Sequence, residues 1–250
     1  MDTLDRPNRR GASRRTFLAA AMASVAGIVG GKALRPAGAT PENLTPEEAF
    51  RRLLEGNYRY VNGLPSQADR SAGRRAEVAR GQKPIAAVLG CADSRVPPEA
   101  VFDQGLGDLF VLRVAGNIAD PAVIGSIEYG VEEFGIPLIV VLGHERCGAV
   151  EATLDALATG AEPPGQIGAV IEPIRKPAQL ARLRAHLAGL APTPTAEMDV
   201  LDAAIRANVA NVVDVLRNSQ PFLFPLIQRN KLRVVGLRYD LETGGTEIVA

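Results

Sequence analysis

The sequence predicts an α/β fold, a single domain in which helices flank a mainly parallel central β-sheet, and three observations predict it. Short runs of uniformly apolar residues recur along the chain, which is typical of strands buried on both faces. Stretches whose apolar residues have helical spacing alternate with these runs. Residues 109–142 contain a strand, a helix and a second strand in succession, which is the pattern of a βαβ unit with a right-handed crossover.

The first elements are two helices and a strand. Thr45-Pro46-Glu47-Glu48 is a capping box with proline in the first helical position, and it predicts an N-terminal helical arm that ends near Asn62. A second, basic helix is predicted from Ser71 to Arg80. The apolar run Ile85–Gly90 predicts the first buried strand of the sheet.

The βαβ unit follows. Leu109–Val114 and Pro137–Leu142 are the apolar runs that predict its two strands. The helix between them is predicted from Pro121 to Phe134, because its apolar residues recur at helical spacing: Val123, Ile124, Ile127, Val131 and Phe134. A crossover of this kind makes the two strands parallel.

The second half of the chain is mainly helical and closes with an edge hairpin. Helices are predicted over residues 149–158, 165–187 and 196–218. The proline-rich stretch Ala191–Thr195 is interpreted as a loop between the last two helices and not as a domain boundary. Leu232–Tyr239 predicts a further strand, Gly244-Gly245 a turn, and Thr246–Val249 the C-terminal edge strand.

The first 39 residues differ from the rest of the chain in charge. The formal net charge of the whole chain is 0, with 28 basic and 28 acidic residues, so the total gives no indication of a nucleic-acid partner. Residues 1–39 nevertheless contain seven basic and two acidic residues, a net charge of +5, which leaves −5 for residues 40–250. Arg14-Arg15 precedes the uncharged run Phe17–Gly30, and Ala37-Gly38-Ala39 is typical of a cleavage site.

These features predict that residues 1–39 are an export signal of the twin-arginine type, cleaved after Ala39. The uncharged run of 14 residues is shorter than the roughly 20 that span a bilayer, which disfavours a retained membrane anchor. We therefore expect residues 40–250 to form a periplasmic or secreted bacterial protein, exported in the folded state. Its expected partners include the export machinery but neither a nucleic acid nor a stable membrane anchor.

Reactive side chains follow two of the predicted strands. Cys91 comes directly after the first strand, and His144 and Cys147 follow the third. The carboxyl ends of parallel strands meet at one edge of a sheet, and two thiolates with one imidazole are a three-ligand zinc set of the catalytic kind. The residues alone leave other interpretations open: a disulfide between the cysteines, buried inert thiols, or a histidine of the core.

Two charged residues beside Cys91 favour the zinc interpretation. Asp93 and Arg95 lie two and four residues beyond it, in Cys91-Ala92-Asp93-Ser94-Arg95. An acid and a base beside a thiolate, just past a buried strand, have no evident packing role. An exposed ion pair would not explain why they occur in this loop.

The pattern Cys-x-Asp-Ser-Arg followed by His-x-x-Cys-Gly resembles the β-class carbonic anhydrases. The resemblance extends over nearly all of residues 40–250, through segments that include Gly81–Pro84, Phe110–Asn117, Ile127–Tyr129, Asn208-Val209, Leu232–Leu241 and Thr243-Gly244. It implies one zinc ion per subunit, on Cys91, His144 and Cys147, in a carbonate dehydratase that hydrates carbon dioxide reversibly to bicarbonate and a proton. It also implies a homodimer or a larger homo-oligomer with an even number of subunits.

Within this resemblance the residues after Cys91 have defined roles. Zinc lowers the pKa of its bound water, and the resulting hydroxide attacks carbon dioxide. Asp93 is expected to accept a hydrogen bond from this water and to orient it, while Arg95 keeps Asp93 ionised and in place. If that pair breaks, Asp93 is close enough to become a fourth zinc ligand in a closed state.

Four further residues are assigned to substrate binding. The resemblance places Gln82, Phe110 and Tyr129 in a pocket shared between subunits, where the aromatic rings would make a dry site for an apolar molecule. Gly148, directly after Cys147, belongs to the same expected site. Without the resemblance, Phe110 and Tyr129 would be interpreted as core residues and Gln82 as a surface amide.

Other charged residues near these motifs carry separate expectations. Glu145 and Arg146 occupy positions where small residues are common in the family, which leaves the charge at the pocket mouth open. Lys231, Arg233 and Arg238 are expected to be exposed on the closing strand.

Two alternative functions remain at this point. One is hydrolysis of carbonyl sulfide or carbon disulfide on the same scaffold, which would differ in pocket access and not in ligands. The other is a catalytically silent zinc protein in which Asp93 always occupies the fourth position. The presence of Arg95 argues against silence, because a structural role for Asp93 does not require it.

Overall fold

The computed structural model of the chain describes residues 44–64, 68–189 and 193–250. The predicted export signal, residues 1–39, lies outside these ranges. Among the helices in the described ranges, none has the length and apolar character that crossing a membrane requires.

Eight helices and five strands make up the described fold. The helices are α1 (Pro46–Val61), α2 (Ala72–Val78), α3 (Pro98–Val101), α4 (Pro121–Phe134), α5 (Gly148–Thr159), α6 (Ile167–Leu187), α7 (Pro194–Arg217) and α8 (Leu223–Gln228). The strands are β1 (Ala86–Gly90), β2 (Leu109–Arg113), β3 (Leu138–His144), β4 (Arg233–Tyr239) and β5 (Thr246–Ile248), and a 3₁₀ turn covers Ala115–Asn117.

The strands form one sheet in the order β2-β1-β3-β4-β5. The first four strands are parallel, and β5 is antiparallel to β4 at one edge. Gly90, the last residue of β1, pairs with Leu142, and β3 continues for two residues to His144. The prediction of a mainly parallel sheet with a C-terminal edge strand is therefore confirmed.

Helices cover both faces of the sheet, and alternate strand residues face opposite layers. On one face, Val88 and Val140 pack with Phe50 and Leu53 of α1. On the other face, Leu89 and residues of β3 and β4 pack against α4, α7 and α8. β1 and β3 are buried throughout, as their uniformly apolar sequences predict, and they form the centre of the domain.

The predicted N-terminal helical arm is confirmed as α1, and its capping box is formed. The Thr45 side chain accepts a hydrogen bond from the Glu48 backbone N–H, and the Glu48 carboxylate accepts one from the Thr45 N–H at 2.9 Å. These bonds satisfy two backbone N–H groups that a helix start would otherwise leave unpaired.

The structure corrects the C-terminal end of the predicted loop Ala191–Thr195, and residues 190–192 lie outside the described ranges. α7 begins at Pro194, and the side chain of Thr193 accepts a hydrogen bond from the Ala196 N–H at 3.1 Å. Threonine at the N-cap followed by proline at the first helical position is a helix start. The end of the predicted loop is therefore the first turn of α7.

Candidate metal centre

The three predicted metal ligands lie together at the carboxyl edge of the sheet. Cys91 directly follows β1, His144 is the last residue of β3, and Cys147 is the N-cap of α5. Their sulfur and nitrogen atoms all lie within 4.8 Å of one another, and all three side chains are buried. Both cysteines are free thiols, so the disulfide alternative does not describe this structure.

The backbone makes a turn at the two residues between His144 and Cys147. Arg146 adopts a left-handed conformation with φ 47°, which turns the chain sharply after β3. The carbonyl oxygen of Cys147 then accepts hydrogen bonds from the N–H groups of Val150 and Glu151, which start α5. This turn brings the thiol of Cys147 back to the imidazole.

The imidazole of His144 is oriented by its own loop. Its Nδ1 lies 2.7 Å from the carbonyl oxygen of Glu145. A carbonyl oxygen only accepts hydrogen bonds, so Nδ1 carries the proton and Nε2 presents a lone pair. Nε2 is buried and has no hydrogen-bond partner among the described residues. A buried nitrogen lone pair without a partner beside two thiols fits a metal ligand.

The two thiols form an electrostatically coupled pair. The Cys147 thiol donates a hydrogen bond that lowers the pKa of Cys91, and the Gly116 N–H donates another to the Cys91 sulfur at 3.3 Å. The same contact with Cys91, together with burial, raises the pKa of Cys147. Two thiolates at this distance repel each other, so a cation between them is what would allow both to ionise.

Asp93 and Arg95 form the predicted pair beside the ligands. Arg95 binds the carboxylate through Nε at 3.0 Å and Nη2 at 2.7 Å, and its backbone N–H donates at 2.9 Å. These hydrogen bonds, chiefly those of the guanidinium, lower the pKa of Asp93 to about 2. The carboxylate lies 3.8 Å from His144 Nε2 and outside the group formed by the three ligands.

Arg113, to which no sequence motif points, holds the loop containing Asp93. Its Nε donates to the carbonyl oxygen of Cys91 at 2.9 Å, and Nη2 donates to the carbonyl oxygen of Asp93. Arg113 is the last residue of β2 and pairs with Gly90, so its side chain lies next to this loop. The signal for this contact is the strand register, which the sequence does not show.

The predicted substrate residues occupy two places in the single chain. Phe110 of β2 and Tyr129 of α4 both contact Phe134, with ring centroids 5.9 and 6.0 Å apart. Phe110 is half-buried, but Tyr129 is 58% exposed, so interpreting Tyr129 as a core residue is wrong. Gln82 is exposed in the segment before β1, and Gly148 is exposed at the start of α5.

The expectation that the charges of the closing strand are exposed is wrong for Arg238. Lys231 is exposed, and Arg233 is partly exposed above the ring of Phe50. The Arg238 side chain is only 12% exposed, because the register of β4 places it between Asp202 of α7 and Glu145. It binds both carboxylates, at 2.5 and 2.6 Å.

The two charged residues between His144 and Cys147 are both paired with the C-terminal hairpin. The Glu145 carboxylate binds Arg238, and Arg146 binds Glu242 at 2.6 Å. Their charges are therefore compensated by neighbours on the β4–β5 side, which answers the question of net charge that the sequence left open.

Comparisons with known proteins cover this part of the chain. The sequence model of the family described as carbonic anhydrase matches residues 86–246, a range that includes all three predicted ligands. Carbonic anhydrase 2 of Mycobacterium tuberculosis is 41% identical over 202 residues, which cover 81% of this chain and 92% of that protein.

Two solved structures are similar in fold. One comes from a study of two tetrameric beta-carbonic anhydrases of the ascomycete Sordaria macrospora; its TM-score is 0.60 at 26% identity, over 70% of this chain and 84% of that chain. The other is the Coccomyxa beta-carbonic anhydrase in complex with acetazolamide, with a TM-score of 0.59 at 29% identity, over 78% and 84%. The likeness therefore extends over both sequence and fold.

Proposed function

The chain belongs to the β-class carbonic anhydrases, and from this premise we propose that it is a zinc-dependent carbonate dehydratase. It converts carbon dioxide and water reversibly into bicarbonate and a proton. The observation that carries the proposal is the group of Cys91, His144 and Cys147 beside the paired Asp93 and Arg95 at one edge of the sheet.

The residues present fit zinc. Two sulfur donors and one nitrogen donor are a ligand set that zinc binds in tetrahedral geometry, with one position left for water or substrate. His144 Nε2 is a buried lone pair without a protein partner, and the two thiols need a cation to ionise together. When bound, zinc would supply a Lewis acid that lowers the pKa of water, so that hydroxide is available as a nucleophile near neutral pH and the proton is released.

Asp93 orients the attacking water. Because its pKa is about 2, the carboxylate is ionised at neutral pH and can only accept a hydrogen bond. Its position 3.8 Å from His144 Nε2 puts the acceptor next to the ligands. A water that donates one hydrogen to Asp93 has its lone pair free to meet the carbon of carbon dioxide.

Arg95 keeps Asp93 in this role. The carboxylate receives three hydrogen bonds from Arg95, two of them from the planar guanidinium. Asp93 would have to give up the guanidinium contacts to become the fourth ligand of a closed site. The bidentate contact between Arg95 and Asp93 supports the proposal of an open site.

The substrate pocket is completed by a second copy of the chain. Gln82 precedes β1 and Cys91 follows it, so a strand of about 17 Å separates them within one subunit. A pocket that contains both Gln82 and the metal ligands is therefore simplest to form from two subunits. Exposed Tyr129, which lies next to the edge strand β2 through Phe134, is available for the same contact. The tetrameric relatives support a homo-oligomer of even number.

Carbon dioxide hydration by the purified protein tests this function. We expect one zinc per subunit and activity that rises toward alkaline pH in stopped-flow measurements, and we expect Cys147→Ser to lose both zinc and activity. A zinc-loaded protein that is inert toward carbon dioxide between about pH 6 and pH 9 would contradict the proposal. Turnover of carbonyl sulfide or carbon disulfide by such a protein would favour the hydrolase instead.

We also propose that residues 1–39 export the enzyme in folded form to the periplasm. Support comes from Arg14-Arg15, the uncharged run that follows, and the small residues that end at Ala39. Exported protein should begin at Thr40, and a variant with Lys at positions 14 and 15 should remain in the cytoplasm. Membrane-bound protein that retains residue 1 would instead indicate an anchor.

A further inference from the structure

Glu145, which lies between two metal ligands, uses every one of its polar groups. Its backbone N–H donates to the carbonyl oxygen of Tyr239 at 3.0 Å, and its carbonyl oxygen accepts from His144 Nδ1. Its carboxylate accepts from Arg238 Nη2 at 2.6 Å and from the Leu241 N–H at 3.2 Å. Three of these four contacts reach β4 and the turn after it. The residue that orients His144 is therefore held by the C-terminal hairpin.

Arg238 is itself fixed in the structure. Besides Glu145, it binds Asp202 of α7 through Nε at 2.5 Å and Glu247 of β5 through Nη1 at 3.0 Å. Arg206 binds the same two carboxylates but does not contact Glu145 in the described structure. A guanidinium has its donors in one rigid plane, so three bonds in different directions fix its position. The positions of α7 and β5 therefore determine where Arg238 holds the Glu145 carboxylate.

We propose that Arg238 is a positioning residue of the metal centre, which acts through Glu145 on the imidazole of His144. Arg238 and the Leu241 N–H hold the Glu145 side chain, and this keeps the Glu145 carbonyl oxygen directed at Nδ1. That hydrogen bond keeps the proton on Nδ1 and turns the Nε2 lone pair toward the two thiols. The inference rests on the proposed function, since it takes His144 to be a metal ligand.

A second ion pair links the same loop to the hairpin, and it allows the positioning role of Arg238 to be distinguished from a simple attachment of the loop. Arg146 also connects the loop to the hairpin, through Glu242, but these two side chains are 41% and 61% exposed. Exposed ion pairs contribute little, because solvent screens them and both side chains lose mobility. The pair of Arg238 and Glu145 is only 12% and 19% exposed. The positioning effect is therefore expected from Arg238 and not from Glu242.

Zinc affinity of the metal-free full chain tests the proposal, measured by competition with a chromogenic chelator. Replacing a residue that supports a ligand typically weakens metal binding by about 10- to 100-fold, and we expect Arg238→Gln to fall in this range. Arg238→Lys keeps the positive charge but loses the planar guanidinium, so its zinc affinity should lie between those of wild type and Arg238→Gln. Arg206→Gln, which removes the other arginine of the network, should bind zinc with wild-type affinity.

The tautomer of His144 gives a second readout that a merely structural role would not change. In ¹⁵N spectra of the metal-free protein, wild type and Arg206→Gln should show the His144 proton on Nδ1, whereas Arg238→Gln should show a mixture of tautomers. If Arg238→Gln does not fold, Glu145→Gln replaces it, since that variant leaves the bonds of Arg238 to Asp202 and Glu247 in place.

The outcomes are distinguishable. Wild-type zinc affinity and a pure Nδ1 tautomer in Arg238→Gln, or in Glu145→Gln where that variant stands in, would overturn the positioning role while the proposed enzyme stands. Equal loss in Arg206→Gln would also overturn it, because the network as a whole would then be responsible. A wild-type chain that binds no zinc would overturn both the enzyme and the positioning role.

Discussion

The two halves of the proposed metal centre are held in different ways. On the Cys91 side, Asp93 and Arg95 bind each other within the loop that follows β1. On the His144 side, the loop between His144 and Cys147 is held by Arg238, a residue that is more than ninety positions away in the sequence. The Asp93 carboxylate is thus held by a local partner, although Arg113 also holds the backbone of its loop, whereas the Glu145 carboxylate is held by a long-range partner.

Because of this difference, we expect the two halves to affect different properties, turnover in one case and metal affinity in the other. In the proposed mechanism Asp93 accepts a hydrogen bond from the reacting water, so changes on the Cys91 side should lower turnover while the metal stays bound. Glu145 and Arg238 orient a ligand without facing the reacting atoms, so changes there should lower metal affinity first. Measuring zinc content and turnover separately therefore distinguishes the two halves.

The largest effect on turnover is expected for Asp93→Asn. The amide keeps the size of the side chain but loses the negative charge that receives the water hydrogen and pairs with Arg95. Misplacing a reacting group by about 1 Å can cost about 10²-fold in rate, and we expect kcat/KM for carbon dioxide hydration to fall by about that factor with zinc content unchanged.

Asp120→Asn is the matched control for this variant. Asp120 is the N-cap of α4, where its carboxylate accepts a hydrogen bond from the Val123 N–H at 2.8 Å, and asparagine caps helices about as well as aspartate. It should therefore retain wild-type activity. Loss of zinc from Asp93→Asn would contradict the division of work between the two halves, because Asp93 would then be needed for metal binding.

A smaller effect, on stability, is expected for Arg95→Gln. In the folded chain the pKa of Asp93 is lowered from 3.8 to about 2, so the ionised carboxylate stabilises the fold. That contribution is complete above about pH 4 to 5 and is lost as the pH falls toward about 2. Urea unfolding of the metal-free protein should show Arg95→Gln slightly less stable than wild type at about pH 6, since solvent screens the half-exposed Arg95, and the difference should be smaller at about pH 3.

Arg175→Gln gives the comparison for this pH effect. Arg175 pairs with Glu172 one turn earlier on α6, at 2.9 Å, and the two side chains are 32% and 72% exposed. Loss of this ion pair in Arg175→Gln should change the free energy of unfolding little at either of the two pH values. If Arg95→Gln were destabilised equally at both values, the ionisation of Asp93 would not be the source of the local stability on the Cys91 side.

The same division explains how much of the site the sequence could predict. Cys91, His144 and Cys147 were predictable because they follow buried strands whose carboxyl ends share one sheet edge. Asp93 and Arg95 were predictable because they are two residues apart. Arg238 and Arg113 could not be predicted as parts of the site. Their contacts depend on strand register and on the packing of α7, which a single sequence does not specify.

The fold shows the same limit at the level of helices. The ends of α4 were predictable because Pro121 marks its start and Gly135, in a left-handed conformation with φ 61°, marks its end. α3 and α8 were missed because their four and six residues are too short to show a helical period. β5 was predictable because the glycines Gly244 and Gly245 mark the turn that returns the chain to β4.

The smallest effect is expected for Glu242→Gln, and it tests whether burial decides which long-range contact matters. This variant removes the exposed partner of Arg146 and leaves the contacts of Arg238 in place. Because exposed pairs contribute at most about 1 kcal/mol and often much less, zinc affinity should stay within about threefold of wild type in the chelator competition. If Glu242→Gln instead weakened zinc as strongly as Arg238→Gln, the His144 side would depend on the whole hairpin. The contrast between a buried, orienting contact and an exposed, dispensable one would then be wrong.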